Sequence, residues 1–223
     1  MIPEKSDYLK AEIIELNKIW PDNKTMNIVC HGHSLPCGYT ANHVVRMRDA
    51  YPRLLQDMLC SRFPMAVLNM IITAVGGEGA INGVQRFEKE VLCHNPRILT
   101  IDYGRNDMFY PVKEVEKAWG SMIEKALKKN IKVLLITPAP DSGQIYYDRD
   151  KRLNTEEDII NMVVKLASEY GTGLADAAGA FRKKFAAGES VSDYMISVNH
   201  LNRDGNRLIA GEILKWFPYP DPL

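Results

Sequence analysis

No excess of charge of either sign is present in the chain: Lys plus Arg and Asp plus Glu each number 28, for a formal net charge of zero. Proteins that hold nucleic acid or an anionic membrane surface through a broad field carry a basic surplus, so neither partner is expected and a small-molecule substrate is. Long apolar runs are missing as well. The stretch 131–136 contains a lysine and is far short of a membrane span, and residues 1–20 are too polar for a signal peptide, so the plain expectation is a cytoplasmic protein. Cysteine is sparse. The four, at positions 30, 37, 60 and 93, show no C-x-x-C spacing and are too few for a disulfide scaffold, which predicts reduced and mostly packed thiols. No linker-like segment divides the 223 residues, so 1–223 reads as a single domain with one substantial core.

What is present is an alternation of strands and helices. Leu9, Ile13, Leu16 and Trp20 stand at helical spacing and predict an amphipathic helix over 6–20, stopped by Pro21-Asp22-Asn23. Ile28, Val29 and Cys30 end a first buried strand. A helical pattern with Val45, Leu54, Leu55, Met58 and Leu59 follows, with Pro52 at its true beginning or a kink, and then a strand over 65–72. Helices over 81–93, 112–129, 155–170, 181–187 and 204–217 are interleaved with strands over 97–102, 131–137 and 173–176. Such an alternation predicts a three-layer α/β/α, doubly wound, flavodoxin-like domain with about five parallel strands and a core over 26–217.

Each strand ends in residues suited to chemistry. The first runs into Gly32-His33-Ser34, the second into Gly76-Gly77-Glu78-Gly79 and the third into Tyr103-Gly104-Arg105-Asn106-Asp107. All fall on the carboxyl edge of a parallel sheet, where open α/β folds collect their ligands. Ser34 taken alone reads as a capping or turn serine. Beside Gly77 and Asn106 it becomes a candidate nucleophile, because a glycine amide and an asparagine side chain are suitable donors to the oxygen that turns negative during acyl transfer. A base is then needed, and His200 directly before the last helical segment is the best placed.

These blocks resemble those of the SGNH hydrolases, the GDSL-type esterases and lipases. Gly32-His33-Ser34 stands where that family has Gly-Asp-Ser. Gly77, with Arg86 beyond it, matches the glycine block, Gly104-Arg105-Asn106-Asp107 matches G-x-N-D, and His200-Leu201-Asn202 with Gly205 is similar to H-P-N-x-x-G. The resemblance implies a serine hydrolase in which Ser34 attacks an ester, His200 takes its proton, and the amides of Ser34 and Gly77 with the Asn106 side chain hold the oxyanion. It implies no metal and no organic cofactor, and a small acyl group, acetyl, on a carbohydrate or similar polar alcohol.

Two positions depart from the pattern. The aspartate three residues before the histidine is replaced by Ser197, so Ser197, a backbone carbonyl or Asp193 is expected to orient His200. His33 replaces the aspartate beside the nucleophile and reads as a change in loop packing. Tyr103, Arg105 and Met108 are expected either to line a substrate pocket or to form an exposed rim. The strand-end aspartates Asp102, Asp107, Asp141 and Asp176 read as caps or loop ties. Two further classes remain open: a metal-dependent hydrolase using His31 and His33 as an H-x-H pair, and a non-catalytic pseudo-hydrolase that only binds an ester or sugar.

Overall fold

The computed structural model describes residues 1–142 and 152–219. Five parallel strands, β1 (Thr25–Gly32), β2 (Val67–Ile72), β3 (Ile98–Asp102), β4 (Lys132–Ile136) and β5 (Gly173–Ala175), form one sheet in the order β2-β1-β3-β4-β5. From β1 the chain steps outward to β2, then returns past β1 to β3. The switch point therefore lies between β1 and β3, where the connecting segments leave for opposite faces and open a crevice at the carboxyl edge.

Alternate residues of a strand point to opposite faces, and β1 divides its apolar side chains accordingly. Met26, Ile28 and Cys30 join one core and Val29 the other. The first core is closed by α4 (Tyr51–Arg62), α9 (Ala177–Ala186) and α10 (Arg203–Leu214), together with the N-terminal segment. The second is closed by α5 (Ala80–Glu90), α7 (Val112–Leu127) and α8 (Glu156–Tyr170). This is the expected flavodoxin-like arrangement.

Several boundaries differ from the sequence expectation. The helix anticipated over 6–20 is two short ones, α1 (Lys5–Tyr8) and α2 (Lys10–Leu16). Leu9, Ile13 and Leu16 are buried, but Trp20 is 82% exposed. The helix ends at Asn17, whose Nδ2 donates to the Ile13 carbonyl at 2.8 Å, before Trp20 can reach the apolar face. Val45 is not helical; it lies in the loop before α4, paired with Tyr39 and 44% exposed. The helix expected over 181–187 begins at Ala177, because Asp176 accepts from the Gly179 amide at 3.0 Å and caps it. The thiols are unbridged, yet only Cys30 is buried; Cys37 is half-buried and Cys60 and Cys93 are exposed.

The close approach of β1 to β3 depends on Gly32. A β-carbon there would meet the Asp102 carbonyl oxygen at 2.3 Å, so only a glycine lets the strand ends stay paired. One turn beyond β3, α6 (Gly104–Asp107) ends in Asp107, which is fully buried. Its carboxylate accepts from the Ala80 amide at 2.8 Å and from Trp119 Nε1 at 2.7 Å, tying β3 to α5 and α7. Burial pushes the Asp107 carboxyl up to about 6. Replacing Asp107 by Ala would strand two buried N–H donors, each costing about 1–3 kcal/mol. The variant is expected to lose about 2–4 kcal/mol in urea unfolding, through a lower midpoint at unchanged slope.

Candidate active site

Ser34 is the first residue of α3 (Ser34–Cys37), a single turn that follows β1 directly, with His33 in the capping position. Ser34 Oγ lies 3.1 Å from His200 Nε2, across 166 residues of sequence. His200 sits in the loop before α10. The amides of Ile196 and Ser197 both donate to the His200 carbonyl, at 3.0 and 3.3 Å, folding 196–200 into a tight turn. Within that turn Ser197 Oγ is 3.1 Å from His200 Nδ1. Asn202 anchors the far side, its Oδ1 accepting from the Asp204 and Gly205 amides at 3.0 Å each.

Asp193 does not take the orienting position. Its Oδ2 accepts from the Ser190 amide at 2.8 Å and caps the short turn Val191–Tyr194, which consumes the carboxylate locally. Ser197 is the side chain that meets His200 instead. The Tyr39 ring lies alongside the imidazole, with ring centres 6.4 Å apart and planes 30° from parallel. Burial, with His33 as a second influence, pushes the His200 imidazole down to about 4. The ring is therefore neutral, and able to accept a proton, across the usual physiological range.

Gly77, in the loop after β2, has φ of 79°, a left-handed conformation that suits glycine. Asn106 Nδ2 donates to the Glu78 carbonyl at 2.9 Å, which joins the loops after β2 and β3. Among the described residues the amides of Ser34 and Gly77 donate to no backbone carbonyl outside regular helices and strands. Beneath the loop, Glu78 receives Tyr103 Oη at 2.8 Å and Arg86 Nε at 2.9 Å, and Arg86 Nη1 reaches the Thr73 carbonyl at 2.6 Å. The block arginine thus acts by fixing Glu78. His31 completes this layer, with Nε2 3.0 Å from Tyr103 Oη and Nδ1 3.0 Å from Thr73 Oγ1. Burial, reinforced by Arg86, holds its ring down at about 4.

Three expected substrate-binding residues are elsewhere. Tyr103 is fully buried in the support layer and Met108 is fully buried in the core. Arg105 is 7% exposed and is spent on Asp141 at 2.7 Å, Glu156 at 3.6 Å and the Ala139 carbonyl. A long polar side chain next to a block motif looks like a substrate contact in sequence, but here its fork closes an internal ion-pair cluster. The H-x-H pair fares no better as a metal site. His31 is committed to Thr73 and Tyr103, and among the described residues no three His, Cys, Asp or Glu side chains are gathered to hold an ion.

The departure at His33 is more than loop packing. Its Nδ1 stands 3.3 Å from Ser34 Oγ, and its Nε2 stands 3.3 Å from Asp102 Oδ1. Sequence reasoning assigned Asp102 to loop tying and missed its side chain. The signal was available only as register, since Asp102 pairs with Gly32 and accepts from the His33 amide at 3.1 Å.

Known proteins share this fold. An acetylxylan esterase from Geobacillus stearothermophilus superposes with a TM-score of 0.72 at 17% identity, covering 87% of this chain and 95% of its own. An α/β hydrolase from the metagenome of Lake Arreo, Spain, gives 0.72 at 18% identity over 86% and 94% of the two chains. A two-domain esterase active on acetylated mannans gives 0.75 at 19% identity, covering 98% of this chain and 58% of that one. At such identities the likeness establishes the fold. No functionally curated protein matches the chain by sequence. The GDSL-like Lipase/Acylhydrolase family, however, matches residues 30–208, a segment that runs from the end of β1, just before Ser34, into α10, just after His200. The chain belongs to that family of carboxylic ester hydrolases.

Proposed function

We propose that this esterase removes a small acyl group, acetyl, from a carbohydrate or other polar alcohol through an acyl-enzyme, with Ser34 as nucleophile and His200 as base. The observation that carries the reading is the contact of Ser34 Oγ with His200 Nε2 at 3.1 Å, with His200 Nδ1 met in turn by Ser197. As Ser34 attacks, its proton passes to His200. The amides of Ser34 and Gly77 and the Asn106 side chain receive the negative oxygen, and His200 returns the proton to the departing alcohol before activating water. Ser197 takes the orienting part usually given to a carboxylate, without adding charge.

Two features support a polar alcohol. A cavity of about 270 Å³ is lined by Thr40, Arg46, Asp49, Leu201, Arg203 and Asp204, Thr40 following Tyr39 and Leu201 following His200 in sequence, and a polar lining of this kind suits sugar hydroxyls. Two of the structural neighbours act on acetylated polysaccharides.

Release of acetate from acetylated xylo- and manno-oligosaccharides, beside 4-nitrophenyl acetate and octanoate, tests the assignment. Acetyl esters are expected to turn over and the octanoate to be poor; Ser34→Ala is expected to fall to background. An unchanged rate in Ser34→Ala would remove the serine mechanism. Asn106→Ala is expected to lower kcat by about 10²–10³, and Ser197→Ala to lower it by a smaller factor, both read from initial rates. Because His200 must be neutral to accept a proton and its ring is held down at about 4, the acid limb of kcat/KM is expected near pH 4. A limb near the ordinary imidazole value of about 6.5 would contradict that burial effect.

A further inference from the structure

Ser34 Oγ has one proton and two imidazoles within reach, His200 Nε2 at 3.1 Å and His33 Nδ1 at 3.3 Å. The two differ in what stands behind them. His200 is backed by the uncharged hydroxyl of Ser197, which gives an imidazolium no counter-charge. His33 is backed by Asp102, with Nε2 3.3 Å from Oδ1 and both side chains at most 2% exposed. The amide of Leu35 donates to His33 Nδ1 at 3.4 Å, so that nitrogen carries a lone pair and the ring proton of the neutral form sits on Nε2, beside the carboxylate. Nε2 makes no aligned hydrogen bond, and Asp102 Oδ2 is likewise without one. Such contacts are commonly long in a free enzyme and tighten when charge develops.

Asp102, His33 and Ser34 thus stand in the order carboxylate, imidazole, hydroxyl. The backbone fixes their relation, since the His33 amide donates to the Asp102 carbonyl at 3.1 Å where Gly32 and Asp102 pair across the two strands. We propose that His33 is a second general base for Ser34, with Asp102 as its positioning carboxylate, so that the charge absent from position 197 acts through the residue preceding the nucleophile. The inference rests on Ser34 being the nucleophile. On this route, which runs beside the one through His200, the O–H bond breaks as the Oγ lone pair bonds to the ester carbon, its proton passes to His33 Nδ1, and the carbonyl π pair moves onto oxygen. That proton is returned to the alcohol oxygen as its bond to carbon breaks, and water repeats the exchange on the acyl-enzyme. A buried imidazolium beside an ionised carboxylate is stabilised in a way that one beside a serine is not.

The test separates activation of Ser34 from protonation of an alcohol. A fluorophosphonate labels an activated serine with loss of fluoride, and 4-nitrophenyl acetate loses a phenolate; neither leaving group needs a proton. Labelling of Ser34 is followed by mass spectrometry, and kcat and KM are measured on the chromogenic ester. His200→Ala is expected to slow labelling by about 10- to 100-fold yet to remain at least about tenfold faster than the double variant His33→Asn with His200→Ala. Asp102→Asn, nearly isosteric, is expected to bring the His200→Ala protein down toward that double variant. His33→Asn alone is expected to lower kcat about tenfold with KM unchanged, a split that general loosening of the fold would not produce. Equal labelling of His200→Ala with and without His33→Asn or Asp102→Asn would overturn the second base while leaving Ser34 as nucleophile. Failure of the unsubstituted protein to label at Ser34 would overturn the nucleophile assignment, and the second base with it.

Discussion

The pairing of the last residues of β1 and β3 is the constraint on which the rest of the site depends. Gly32 lies against the Asp102 backbone with no room for a β-carbon, and the next amide, that of His33, continues the ladder onto the Asp102 carbonyl. Because β1 and β3 are parallel and lie at the switch point, the segments leaving them share one edge while their helices cover opposite faces. Ser34 after one strand and Asn106 after the other thereby lie on one edge of the sheet without a long loop before them. Parallel pairing also puts the His33 ring beside the Asp102 side chain, a contact between residues 69 positions apart.

A second layer gives this edge its rigidity. The loop after β2 is held by Glu78, which Arg86 and Tyr103 grip from two sides, and Tyr103 is backed by neutral His31. Every member is half-buried or buried and each finds its partner inside the protein, which is the condition under which a polar network stiffens a structure instead of destabilising it. On the other side, the tight turn at 196–200 makes His200 and Ser197 face one another, and Asn202 capping α10 fixes that turn to a helix packed in the core.

The electrostatic character of the site follows from where charge was removed. Position 197 carries a hydroxyl, so His200 is desolvated without a compensating anion and its ring is driven to the neutral form. The buried carboxylates at this edge, Asp102 and Asp107, belong to β3 and the turn after it. Asp107 is absorbed by the Ala80 amide and the Trp119 ring, and its main effect is structural. Asp102 retains an oxygen without a hydrogen-bond donor and lies beside His33. Two nearby aspartates therefore have different parts: one is held by uncharged N–H donors on two helices, and the other meets the imidazole beside Ser34.

Local periodicity and turn chemistry, both short-range, determined the strand and helix order and the candidate residues Ser34, Gly77, Asn106 and His200. Apolar spacing of two or of about 3.6 residues depends only on neighbours in the chain, and a glycine or asparagine after a strand marks its exit. Contacts across the sheet were decided by the tertiary structure alone. Asp193 and Ser197 stand seven and three residues before His200, and only the 196–200 turn chose Ser197; Tyr103, Arg105 and Met108 read as pocket or exposed-rim residues, and packing turned them inward. The meaning of His33 likewise waited on strand register. A residue's neighbours along the chain specify its local geometry, but the group its side chain meets is set by elements folded beside it, and Asp102 is 69 positions away from His33.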